Sequence, residues 1–185
     1  VVPVCRKAFG DGAVGMIFFD HAPEGAGLAY IWHFFNADGS RAEMCGNGSR
    51  CAARLAWMLG IAPARHVFGT DADPIEAEVD PDSNQVTVQL TPPKDLRMAI
   101  DIEVEGRPFH LHFVNTGVPH AVAVMDHLEL VEVWKLGRAI RQHQYFAPAG
   151  TNVNFISSEE KGTLSLRTYE RGVEDETYAC GTGAV

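Results

Sequence analysis

FNADGSRAEMCGNG at residues 35–48 and YERGVEDETYACGTG at residues 169–183 share one layout: a strand-like start, a polar turn, a short approach, then Cys-Gly-x-Gly. Asn36 precedes Cys45, and Arg171 precedes Cys180, by the same nine positions. Stacked repeat proteins recur every ~20–50 residues, and this spacing is far longer. The pattern predicts two related halves, each carrying one thiol motif.

The first motif opens the run CGNGSRCAARLAWMLG at residues 45–60. Residues 47–59 are apolar almost all round, which predicts a helix buried on most sides, with Gly60 as its C′ residue and Pro63 following. Glycines at such a helix start leave room for a ligand to approach the backbone. The N–H groups of the first turn then point at the ligand, and the helix dipole favours an anion. A thiol in the same place should be easier to deprotonate than an ordinary cysteine. The motif therefore offers a carboxylate cradle and an acid/base group together. Taken alone, Cys45 reads equally well as a small buried hydrophobe. The second copy at Cys180 shifts the balance, because two opposed thiols suit inversion of a carbon centre: one removes a proton from one face while the other delivers one to the opposite face.

Outward from these motifs, strand patterns dominate. Residues 14–20 and 28–35 are β-branched, aromatic and apolar, and Asp38-Gly39 marks a turn after them. PIEAEVDPDSNQVTVQL at 74–90 predicts two half-buried strands about a DPDSN turn, and FHLHFVNTGVPHAVAVM at 109–125 two more about a polar bend. A helix is expected over residues 128–141, interrupted in character by Gly137, and strands over 151–157 and 163–170. A boundary is expected between Pro92 and Glu103.

Composition narrows the class. Of the 185 residues 46% are hydrophobic and 21% charged, enough apolar material for a core and too little polarity for a disordered chain. The net charge of −9, with no basic block, argues against a nucleic-acid partner. No apolar run is long enough for a membrane-spanning helix. Cys5, Cys45, Cys51 and Cys180 form no C-x-x-C pair and lack His partners at finger spacing, so no metal is expected. Four cysteines are also too sparse for a disulfide-stapled scaffold, and reduced thiols in the cytoplasm are expected. Cys51 and Cys5 read as core residues.

The runs FNADGSRAEMCGNGSRCAAR, NTGVPHAV, GTNVNF and YERGVEDETYACGTGA resemble, in order and separation, those of the diaminopimelate epimerase family. The two Cys motifs resemble the wider superfamily that includes proline racemase, and MCGNG with Tyr-Glu-Arg-Gly narrows the resemblance to the epimerases. It extends over nearly the whole chain. It implies an α+β fold of two pseudo-symmetric half-domains, each a curved, mostly antiparallel sheet around a central helix, with the active site in the cleft between them. The halves would be residues 1–97, lacking the N-terminal strand, and residues 98–185, lacking the C-terminal part. The chain opens without Met and ends after a Gly-rich turn, so truncation at both ends is expected.

By the same resemblance the activity would be cofactor-independent interconversion of LL- and meso-diaminopimelate, on the route to lysine and peptidoglycan. Cys45 and Cys180 would be the proton-transfer thiols. Gly46, Asn47, Gly181 and Thr182 would bind the α-carboxylate. Asn36, Asn152, Glu170 and Arg171 would bind the rest of the substrate, with Arg171 suited to a carboxylate. His120 and Glu170 would tune the thiols. The partner would be this small molecule, with no nucleic acid or membrane, in a cytoplasmic enzyme for which a homodimer is admitted. Read from the residues alone, Asn36 could equally start the Asp-Gly turn, His120 could be a loop histidine, and Glu170–Arg171 could be surface charge. Val14 and Val118 depart from the family's Asp and Asn. The alternatives are another amino-acid racemase of the superfamily, which would not need the Asn152 and Glu170–Arg171 set, and an inactive fragment.

Overall fold

Three short antiparallel strands open the architecture: β1 (Gly15–Asp20), β2 (Ile31–Asn36) and β3 (Arg41–Ala42), in the order β1-β2-β3. The computed structural model describes residues 1–6, 13, 15–83, 85–159 and 162–185. Val14, a departure from the family resemblance, lies outside the described residues, as does Asn84 of the DPDSN turn. The described chain divides into two compact units, Val1–Thr91 and Pro92–Val185.

In the first unit, β2 turns Trp32 and Phe34 inward, at 1% and 6% exposure, as period-two alternation requires. A second antiparallel sheet holds β4 (Arg65–Phe68), β5 (Ile75–Val79) and β6 (Val86–Val88), with Ile75, Ala77 and Val79 buried. Backbone bonds from Trp32 N–H to the Gly69 carbonyl and from Gly69 N–H to the Tyr30 carbonyl, both 2.9 Å, tie the two sheets together. A single helical turn, α1 (Val2–Cys5), buries Cys5.

Helix α2 (Gly46–Met58) packs against β5 and β6. It ends as its sequence predicts. Gly60 adopts a left-handed φ of 69°, and the bonds Gly60 N–H to Trp57 carbonyl and Ile61 N–H to Ala56 carbonyl close a Schellman motif. Its burial differs from the expectation of a helix enclosed on most sides. Only the small residues Gly46, Ser49, Ala52, Ala53 and Ala56 are buried, while Leu55, Met58 and Leu59 are exposed. Close approach to the sheet selects the small-residue stripe. Cys51, expected in the core, lies on the exposed face.

The second unit is one six-stranded sheet ordered β12-β11-β10-β9-β8-β7. Its strands are β7 (Lys94–Val104), β8 (Arg107–Asn115), β9 (Pro119–Val124), β10 (Asn152–Ser158), β11 (Leu164–Glu170) and β12 (Asp175–Thr177). Strand β7 occupies most of the stretch in which a boundary was expected. Two register shifts, with Asp95 and Ala99 at positive φ, break its alternation and hide it from a period-two reading. Only β9 and β10 run parallel among the pairs of this sheet, so a crossover joins them. That crossover carries a 3-10 turn at Leu128–Leu130 and helix α3 (Val133–Arg141), in place of the single helix expected over 128–141. Helix α3 lies so close to the sheet that a Cβ on Gly137 would stand 2.4 Å from Tyr169 Cβ. The core gathers Ile102, Leu111, Phe113, Val153, Phe155 and Tyr169 from the strands around Val133 and Ile140 of α3. Helix α3 packs in the core of this unit, and Cys180 opens the 3-10 turn Gly181–Gly183.

Among the described residues no helix is long and apolar enough to cross a membrane, and no cluster of three or more His, Cys, Asp or Glu is arranged to hold a metal.

Candidate active site

Cys45 is the N-cap of α2, in extended backbone at φ −145°. Its Sγ accepts the Gly48 N–H at 3.4 Å, as a capping side chain does, and its carbonyl accepts the Ser49 N–H at 2.8 Å. The thiol is half-buried at the positive end of a 13-residue helix. Gly46 is buried. Asn47 is exposed and its amide oxygen accepts from Arg50. A Cβ on Gly48 would meet Trp32 at 3.2 Å and Ile17 at 3.4 Å, so the floor of this turn is apolar.

Asn36, at the end of β2, donates through Nδ2 to Ser40 Oγ at 3.0 Å, and its carbonyl accepts the Gly39 N–H. It therefore starts the Asp38-Gly39 turn, which was the plainer of its two readings.

Cys180 occupies the same place in its own motif, in extended backbone at φ −125°, and opens the Gly181–Gly183 turn. Its surroundings are polar and enclosed. Sγ lies 3.6 Å from Thr182 Oγ1 and is hydrogen-bonded to the Glu170 carboxylate. Burial, reinforced by the negative charge of Glu170, pushes this thiol up to about 11, although the Thr182 hydroxyl and the Gly183 N–H pull the other way. At Cys180 burial and the Glu170 charge outweigh the two donors, Thr182 and the Gly183 N–H, that favour the thiolate. Burial also raises Glu170, against the hydrogen bonds it receives from Thr177 Oγ1, at 2.7 Å, and from Cys180.

His120 is 1% exposed on β9. Its Nε2 lies 3.0 Å from Thr182 Oγ1 and its Nδ1 2.9 Å from Asn154 Nδ2. Burial, and after it the charge of Arg171, holds the imidazole down at about 4, so it is neutral near pH 7. Asn154 accepts from Thr168 Oγ1 at 2.9 Å, and Thr116 Oγ1 donates to the Thr182 carbonyl at 2.6 Å.

The structure thus gathers four of the expected residues, His120, Glu170, Cys180 and Thr182, into one buried network. Thr182 is 4% exposed and its hydroxyl is engaged inside that network. Asn152 is similarly occupied: its Nδ2 donates to the Pro119 carbonyl and its Oδ1 accepts the Arg171 N–H at 2.8 Å. It holds the Arg171 backbone in place. The Arg171 side chain is half-buried and reaches the Ala149 carbonyl at 3.3 Å. Gly181 is partly exposed, and Val118 is buried beside the bend. Asn154, Thr168, Thr116 and Thr177 were not singled out in the sequence. For Asn154 a signal existed, since it lies two positions after Asn152 and shares its strand face.

The fold is that of the proline racemase type. A probable proline racemase from Agrobacterium radiobacter superposes with a TM-score of 0.70 at 14% identity, covering 90% of this chain and 57% of its own. A hydroxyproline epimerase from Agrobacterium vitis gives 0.68 at 15% identity, covering 88% and 55%. Within that architecture the chain belongs to the diaminopimelate epimerase family, whose model, described as diaminopimelate epimerase, matches residues 1–96 and 112–185. It is 53% identical to the diaminopimelate epimerase of a Hydrogenobaculum species over 98% of this chain and 65% of that protein. The corresponding values for the Aquifex aeolicus enzyme are 50%, 98% and 64%, and for that of Chlorobaculum tepidum 41%, 98% and 68%. The chain thus spans about two thirds of the length of these relatives.

Proposed function

We propose that the protein interconverts LL- and meso-diaminopimelate by two-thiol proton transfer, with Cys45 and Cys180 acting on opposite faces of the α-carbon and with no cofactor or metal. What supports the proposal is two thiols set in matching motifs with unlike surroundings, Cys180 bonded to Glu170 and Thr182 and Cys45 facing the Gly48 N–H. Cys180, raised to about 11 and bonded to Glu170, is a protonated thiol near pH 7, suited to deliver a proton. Cys45, at the start of α2 with an N–H directed at its sulfur, is placed to act as the thiolate that removes one. In the reverse direction the roles exchange. There the Cys180 thiolate left by the forward step removes the α-proton and the Cys45 thiol delivers one, while Glu170, bonded to the Cys180 sulfur, tunes its protonation.

Backbone N–H groups at Gly46, Asn47 and Gly181 would receive the α-carboxylate, and Arg171, anchored by Asn152, the distal carboxylate. Asn36 would touch the substrate beside Cys45. Thr182 would act from within the network. On this proposal the enzyme is cytoplasmic, takes a free amino acid rather than nucleic acid or membrane as its partner, and pairs as a homodimer, which sedimentation checks.

The test is exchange at the α-carbon of diaminopimelate in heavy water, followed by mass spectrometry. Deuterium should enter with the protein alone after exhaustive chelation and dialysis. Uptake that required pyridoxal phosphate or a divalent metal, or none from either diastereomer, would overturn the proposal.

A further inference from the structure

The network around Cys180 has a direction. Asn154 is fully buried on β10, and its amide nitrogen lies 2.9 Å from His120 Nδ1 and 3.4 Å from the Ala121 carbonyl oxygen. Its amide oxygen accepts from Thr168 Oγ1. Rotating the amide by half a turn would set oxygen against the Ala121 carbonyl, so these partners assign the orientation. An amide NH2 only donates, and Nδ1 must therefore be the accepting nitrogen of a neutral ring. The ring proton then resides on Nε2 and is donated to Thr182 Oγ1, 3.0 Å away. Thr182 has a single hydroxyl proton. With its oxygen accepting from His120, that proton is left for Cys180 Sγ at 3.6 Å.

We propose that Asn154 is a positioning residue: it fixes His120 as the Nε2–H tautomer and so, through Thr182, aims one donor at the Cys180 sulfur. Its place in catalysis rests on the epimerase reading; the tautomer and the donor do not. Thr116, donating to the Thr182 carbonyl, keeps the hydroxyl in line. Gly183 closes over the pair, since a Cβ there would stand 2.6 Å from Asn154 Oδ1 and 3.1 Å from the His120 ring. The donor stabilises the thiolate and offsets part of what burial and Glu170 impose on it. The charged and titratable groups that face His120 and Cys180 are Glu170, at the end of β11, and Arg171 beside it.

The first test uses the protein without substrate. Long-range ¹H–¹⁵N spectra should show His120 neutral and protonated on Nε2 from pH 6 to 9; a proton on Nδ1 would overturn the proposal outright, with no variant involved. Asn154→Asp keeps the shape and the Thr168 bond but turns the donor into an acceptor, so the ring proton should move to Nδ1. The second test follows the pH dependence of alkylation at Cys180, read by peptide mass spectrometry. Thr182→Val should raise the midpoint by about one pH unit, about tenfold slower alkylation at fixed pH, and Thr182→Ser should restore it. Asn154→Asp should also raise the midpoint, above any pH at which His120 titrates. That rise should vanish in the Thr182→Val background, because its route runs through the hydroxyl. A rise that persists undiminished there is a plain effect of the new charge and sinks the relay. Failure of deuterium exchange alone would count against the epimerase reading and leave these results standing.

Discussion

The Cys45 turn and the Cys180 turn share Cys-Gly-x-Gly and the same extended backbone at the cysteine, yet they rest on opposite kinds of floor. Beneath Gly48 lie Trp32 and Ile17; beneath Gly183 lie Asn154 and His120. Local sequence repeats the shape, and distant residues decide the charge. Matching motifs therefore do not make matching surroundings, and on the proposed mechanism the thiol bonded to Glu170 is the one suited to deliver a proton.

The sharpest way to break this comparison is to remove each sulfur. Cys45→Ala and Cys180→Ala should each lower α-proton exchange by about 10²–10⁴-fold, the range of a general acid or base. Cys51→Ala, on the exposed face of α2, should leave most of it. A Cys51 variant as inactive as the other two would dissolve the assignment of roles.

Stability against pH separates the two floors. His120 is held down at about 4 from 6.5, so its contribution to folding is complete above about 6.5 and is lost as pH falls through about 4. The difference is on the order of 3 kcal/mol in the second unit. Glu170, raised by burial, works in the opposite sense over the acid range. Melting curves of the protein and of His120→Gln from pH 7 to 4 should therefore converge as pH falls. Parallel curves would mean that His120 is not buried neutral.

Smaller effects are expected at the glycines. Gly183→Ala drives a Cβ against Asn154 and His120 and should cost about 1–3 kcal/mol, as overpacking does. Gly48→Ala meets Trp32 and Ile17 less tightly, and alanine's helix preference offsets about 1 kcal/mol. Its loss should be under about 1 kcal/mol in chemical denaturation. The reverse ranking would contradict the two floors.

The smallest effect is electrostatic. Glu170→Gln removes the second-largest cause of the raised Cys180, leaving burial in place. The Cys180 alkylation midpoint should fall by about one pH unit, with no change at Cys45.

Much of this was legible in the sequence, for reasons that differ by element. The bounds of α2 followed from Cys45 and Gly60, because caps are local. Strands β10 and β11 followed from alternation, as did the bend between β8 and β9. Strand β7 did not, since bulges near Asp95 and Ala99 disrupt its period. In the site, Cys45 and Cys180 stood out by their repeat and His120 by its resemblance. Asn154 did not stand out, nor did the direction of the Cys180 shift. Asn154 meets His120 across 34 residues and Thr182 meets His120 across 62. No local pattern encodes such pairs. The raised Cys180 thiol follows from burial and from the Glu170 charge, and burial is a tertiary property.

The parallel ladder of β9 and β10 has a consequence in time. Its residues pair only after the long crossover bearing α3 has closed, and such distant pairing forms slowly. Before that closure, and in any fluctuation that reopens it, Asn154 and His120 are apart and Cys180 is an ordinary thiol in water. A nascent or transiently opened chain would then expose to oxidants and alkylating agents the very sulfur that the finished sheet shields. Slow labelling of Cys180 near neutral pH is thus a clock for the opening of that ladder.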